Sequence, residues 1–188
     1  MELEQDLKVH KRQLPRGQGI NLKVVFLIGS YLLAIITANL LVVRFGPGVT
    51  IINAFLFIGF DLVARDGLHD AWRGRNLLIK MAMLIAAGSL LSYWLNRDAG
   101  QIALASFAAF MLAGIADATV YAWLHKRGWL IRVNGSNVAG AALDSVVFPM
   151  LAFGGFPVLI IIGQFVAKIG GGFLWSLIIP ILSKRRNE

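Results

Sequence analysis

Six long apolar runs alternate with short polar breaks along the chain. They cover 24–43, about 49–64 (extending as far as Leu68), 77–95, 101–124, about 137–154, and 157–180, where Pro180 ends the last. A membrane-spanning helix needs ~20 apolar residues at ~1.5 Å each. Each run therefore predicts one crossing. The second and fifth are short, which implies little tilt, a break, or an end that the apolar pattern alone underestimates. Gly and Pro in "RFGPG" (44–48), with "NRDAG" (96–100) and "GGF" (154–156), predict tight connections. "RDGLHDAWRGR" (65–75) and "HKRGWLIRVNGS" (125–136) predict longer, basic ones. The expected fold is an all-α integral membrane bundle of six transmembrane helices. A polar segment over 1–23 precedes a transmembrane domain over 24–182, and a basic tail over 183–188 follows. No internal repeat, low-complexity tract or soluble domain is visible.

Composition agrees, since 57% of residues are hydrophobic against roughly 45–50% in soluble domains. The net charge of +8 would suit a nucleic-acid binder, but the placement of the bases argues against one. Fifteen of the 18 Lys and Arg residues fall on one side, at the termini, in the second and fourth connections and, as Lys80, in the first turn of the third run. Only Arg44 and Arg97 fall on the other side, and Lys168 lies within a run. Basic residues in short loops mark the cytoplasmic side. Both termini are thus expected in the cytoplasm, with the chain a multi-pass protein of the cell (inner) membrane. The basic surplus is a topology signal, not a nucleic-acid face. With no cysteine there is no disulfide, thiolate metal site or cysteine nucleophile.

Asp61, Asp117, Asp144 and Lys168 lie within or at the edge of the runs. A charge at the centre of a spanning helix is unfavourable by roughly 2.5–3.5 kcal/mol, so such groups face a bundle interior or a wet cavity. Helix counting puts Asp117 and Asp144 at similar depths, about 10 Å from the cytoplasmic edge. Asp61 is nearer that edge and Lys168 close to mid-membrane. Helical spacing groups Phe107, Phe110, Gly114, Asp117 and Tyr121 on one face. Asn137, Ala141, Asp144 and Phe148 share a second. Gln164, Lys168, Gly171 or Gly172, and Trp175 share a third, and Asn53, Phe57 and Asp61 a fourth. Rings, amides and carboxylates in this mixture suit a flat polar heterocycle. Plainer readings remain open. Asp144 and Lys168 can be a structural ion pair, Asp61 a headgroup-level charge, and the aromatic stripes simple packing. The run "GGG" (170–172) reads as close helix packing. His69 with Asp70 is too little for a metal site. No Ser-His or Glu-His pair lies at membrane depth, so an enzyme is not expected.

These segments resemble the queuosine precursor transporter family, also called the VUT or YhhQ-like family of vitamin uptake transporters. The resemblance covers most of 30–180. It rests on Asn39 in "TANLL", on "FLFIGFDLVARDG", on "IALASFAAFMLAGIADATVYAWL" with Asp117, and on "GWLIRVNGSNVAGAALDSVVF" with Trp129, Arg132, Ser136 and Asp144. Lys168 with Pro180 resembles the last helix. The chain departs from the family at Arg65, where many members carry Glu, at Asn137 for Thr, and at Ala141 for a polar residue. The resemblance implies uptake of a 7-deazaguanine such as preQ0 or preQ1. A carboxylate can accept the adjacent N1–H and 2-amino donors of that ring, which suits Asp144. The O6 acceptor suits Lys168, Asn137 or Gln164. The expected substrate-binding set is Asp144, Lys168, Asp117, Asn137, Gln164, Asn39, Asp61, Phe107 and Trp175. Expected partners are this small molecule and the lipid bilayer, with no cofactor and an oligomer left open. The alternative is a substrate-capture subunit of an energy-coupling-factor vitamin importer, which would need a separate ATPase module.

Overall fold

The computed structural model describes residues 22–72 and 76–184, with the side chains at 66, 69, 70, 129, 130, 132, 133 and 179–184 outside that description. Most of the polar N-terminal segment, Arg73, Arg75, the end of the tail, and the side chains of His69, Asp70, Trp129 and Arg132 thus lie outside the described residues. The described chain is helical throughout, with six helices long and apolar enough to cross a membrane.

Helix α1 spans Leu22–Phe45. A 3-10 turn, Pro47–Val49, leads into α2, built from Thr50–Asn53, a π-helical turn Ala54–Ile58, and Gly59–Ala71. Then come α3 (Leu77–Leu95), α4 (Gly100–Trp123), α5 (Trp129–Phe153) and α6 (Val158–Lys184). The α1–α2 connection turns at Gly46, whose φ of 74° is open to glycine at no steric cost. Gly154 and Gly155, with φ of 66° and 153°, do the same between α5 and α6.

Three boundaries differ from the sequence expectation. Helix α2 continues to Ala71, and α5 begins at Trp129 rather than near Asn137. Most of the two predicted basic connections is therefore helix, because amphipathic turns continue a helix beyond the apolar span. Helix α6 runs past Pro180 to Lys184; a proline removes one backbone bond but need not end a membrane helix.

Packing is tightest where glycines remove side chains. A Cβ on Gly171 would lie 2.0 Å from the Phe55 carbonyl oxygen, and one on Gly59 would lie 2.6 Å from the Gly171 carbonyl carbon. Helices α2 and α6 thus meet backbone to backbone across the π turn, as the small-residue reading of "GGG" anticipates. The Leu56 carbonyl in that turn accepts the Trp175 Nε1–H at 2.9 Å. A core of Tyr31, Ile35, Ala64, Leu68, Met81, Leu84 and Ile85 joins α1, α2 and α3. The most extensive pairing is α4 with α5. Within the spans, only 22–39% of residues are buried in the bundle, so the remaining apolar surface, Leu159 at 84% exposure included, suits lipid rather than water.

Candidate functional site

Lys168, on α6, is 1% exposed. Its ammonium lies 2.7 Å from Asp144 Oδ2 and donates to Ser145 Oγ and Gln164 Oε1, both at 3.0 Å. An ammonium has three N–H donors, and these three acceptors use them all. Asp144 and Ser145 come from α5, one residue apart, while Gln164 sits one turn before Lys168 on its own helix. Lys168 holds one oxygen of Asp144, Oδ2.

The pair borders a cavity of about 30 Å³, measured as the space open to the centres of water-sized spheres. Its walls include Asn39, Asn53, Ser106, Phe110, Asp144, Phe148, Gln164 and Lys168. By this measure a water needs roughly 10–15 Å³, so the space admits about two waters and no two-ring molecule. Asn39 is already committed. It accepts from Ser106 Oγ at 2.5 Å and donates to Ser92 Oγ at 3.1 Å, which links α1, α4 and α3. Asn53 donates from Nδ2 to the Ala38 carbonyl at 2.9 Å. Its Oδ1, and the Nε2 of Gln164, are buried with no hydrogen-bond partner among the described residues.

The sequence-predicted residues therefore divide. Asp144, Lys168, Gln164 and Asn39 meet at one cavity. Asp117 is not among the residues lining that cavity. Asp117 instead faces Arg65, with Nη2 and Oδ1 3.6 Å apart, close enough for ion pairing but too long for a hydrogen bond. Gly140 on α5 lies against this contact, where a Cβ would press on the Ala113 carbonyl oxygen at 3.3 Å and sit 3.5 Å from the Asp117 Cβ. Arg65 is only 6% exposed, so it belongs to the bundle rather than to the basic loop where the sequence reading counts it. Asp61, also buried, faces Tyr31 of α1 and Arg65 of its own helix. It is an interior group, not a headgroup-level charge. Asn137, at seven residues before Asp144, is ~10 Å away along α5 and outside the cavity lining.

The aromatic assignments shift as well. Phe107 packs towards the core of α1–α3 and lines a separate apolar groove between α3 and α4. Trp175 is bonded to Leu56 and meets Phe60 edge-on, with ring centres 5.2 Å apart. Phe110 and Phe148 are the rings on the cavity. Both share sequence faces with Asp117 and Asp144 respectively, so helical periodicity carried the signal, and the rotation of each face decided between neighbours. Asn53 was visible only as the start of the Asn53–Phe57–Asp61 row. Among the described residues no cluster of three His, Cys, Asp or Glu could hold a metal ion.

The family model described as "Putative vitamin uptake transporter" matches residues 21–183. No curated protein and no solved structure gives a significant match to the chain. The match runs through all six spanning helices and both halves of the Asp144–Lys168 site. The chain belongs to this family of membrane transporters.

Proposed function

We propose that the protein takes up a 7-deazaguanine of the preQ0 or preQ1 kind, and that Asp144 reads the guanine-like edge of that ring inside the membrane. The observation that carries this reading is the Asp144–Lys168 pair on a largely apolar cavity that also holds amide side chains and two phenylalanines. Asp144 offers Oδ1 and the remaining lone pair of Oδ2 to two adjacent N–H donors, N1–H and the 2-amino group. Phe110 and Phe148 offer faces or edges for stacking. Lys168 has no donor to spare for the ligand, so its role is to fix the carboxylate in place and offset its charge. The ligand's O6 then falls to another donor. The cavity is smaller than the ligand, so binding requires helices to part, as alternating access does in transporters built around a central site.

A thermal-shift screen of the purified protein with preQ0, preQ1, queuine, guanine and biotin tests the reading. A ligand that binds only the folded state raises its stability by mass action. A shift with preQ0 or preQ1 is expected. A shift with biotin alone, together with co-purifying ATPase subunits, would replace this reading with that of a capture subunit.

A further inference from the structure

Asn53 and Gln164 are held in opposite senses by their neighbours. The Ala38 carbonyl takes the Asn53 amide nitrogen, and the Lys168 ammonium takes the Gln164 amide oxygen. Those bonds fix which end of each amide is which, a choice that side-chain shape alone leaves open. Asn53 is thereby left with an acceptor, Oδ1, and Gln164 with a donor, Nε2. Both atoms are buried and have no hydrogen-bond partner among the described residues, although the residues are only 3% and 2% exposed. Buried polar groups are rarely left so. Both residues line the same cavity as Asp144. Gln164 lies one helical turn from Lys168 towards the Pro47–Val49 end of the bundle, and Asn53 lies two turns from Asp61 in the same direction. Both residues thus lie along their helices on the side away from the Arg65–Asp117 contact.

We propose that Asn53 Oδ1 and Gln164 Nε2 form a second, uncharged recognition point, which accepts a ring N–H of the ligand and donates to its carbonyl. The proposal rests on the deazaguanine reading and extends it. With N1–H and the 2-amino group on Asp144, O6 falls to Gln164, and the pyrrole N–H at the far end of the ring system falls to Asn53. The chemical class is then a free lactam-bearing base with an unsubstituted five-membered-ring N–H. A nucleoside, which carries its sugar on that nitrogen, leaves Asn53 stranded and is rejected. Sites built to hydrogen-bond a group discriminate strongly against analogues that lack it.

The test measures binding to the full-length protein in nanodiscs, with three probes. They are preQ0, its furo[2,3-d]pyrimidine analogue, which carries oxygen in place of the pyrrole N–H without added bulk, and hypoxanthine. The wild type should bind the furo analogue at least about tenfold more weakly than preQ0, as expected for one lost bond and a stranded acceptor. Asn53→Ala should lose that preference, binding the two within about threefold of each other. Gln164→Glu keeps an acceptor for Lys168 and so should keep the fold, yet should bind preQ0 at least about tenfold more weakly, since an oxygen replaces the donor. Equal wild-type binding of preQ0 and its furo analogue, or unchanged preQ0 binding in Gln164→Glu, overturns the recognition point and leaves the deazaguanine reading intact. Wild-type binding of hypoxanthine but not preQ0, lost in Gln164→Glu, ends the deazaguanine reading and upholds the recognition point. Binding of none of the three ends both.

Discussion

At the scale of residues, Asp144 and Lys168 have two roles at once. Each is almost fully buried, so neither charge has bulk water to fall back on. Removing one partner of a buried pair typically destabilises by about 3–5 kcal/mol, because the other is left uncompensated. Asp144→Asn should therefore lower the melting temperature and weaken preQ0 binding by at least about tenfold, since a hydrogen bond to a charged group is worth roughly 1.5–3 kcal/mol. The double variant Asp144→Asn with Lys168→Met should regain stability but not affinity. Melting temperature and affinity measured on the same samples separate the roles, and normal affinity in the double variant would leave Asp144 a purely structural partner. These deep charges were legible in the sequence because each interrupts an apolar run. Arg65 was not, since a cation at the end of such a run looks the same whether it turns outward to water or inward to Asp117. Asn53 was hard to weigh for a similar reason. An Asn in a membrane helix usually satisfies itself on a neighbouring backbone, and only the structure shows that Asn53 does so with its nitrogen while its oxygen has no partner among the described residues.

At the scale of helices, the contact between α2 and α6 is the closest in the bundle, and it lies one turn from Lys168. Gly171 has no room for a methyl group beside the Phe55 carbonyl. Gly171→Ala must push the helices apart, and overpacking of this kind costs about 1–3 kcal/mol. Gly59→Ala should act alike. Gly114 on α4 meets nothing within 4 Å of its would-be Cβ, so Gly114→Ala should be neutral or stabilise by up to ~1 kcal/mol through helix propensity. Denaturation of the three variants in one detergent checks the contrast, and equal effects would show that the α2–α6 crossing is looser than it stands here. The spacing of "GGG" pointed to close packing but named no partner helix. The π turn at Ala54–Ile58 had no signature in the sequence at all. Such a turn is set by tertiary contacts, here the Phe55 and Leu56 carbonyls turned towards α6, and π turns often mark functional sites.

At the scale of the whole molecule, six crossings place the two ends of the bundle on the same side of the membrane. Charge then says which side. Moving Arg65 from the loops into the bundle leaves fourteen basic residues on the side of the termini against Arg44 and Arg97 on the other. The imbalance is hardly altered, so the expectation from the positive-inside rule, termini in the cytoplasm, is unchanged and open to test. The absence of cysteine makes the chain its own background for a direct measurement. Asp98→Cys, in the turn between α3 and α4, should react with a membrane-impermeant maleimide added to intact cells. Lys126→Cys, in the turn between α4 and α5, should react only after the membrane is permeabilised. Both side chains are exposed, Asp98 in the 3-10 turn Arg97–Ala99 and Lys126 in the turn after α4, and neither lines the cavity, so neither substitution should disturb the fold. Labelling in the reverse order would invert the orientation and make the cavity's Asn53 end face the cytoplasm. Labelling of both from outside would mean that α4 does not cross, and the site would lose its α4 wall, Ser106 and Phe110 included.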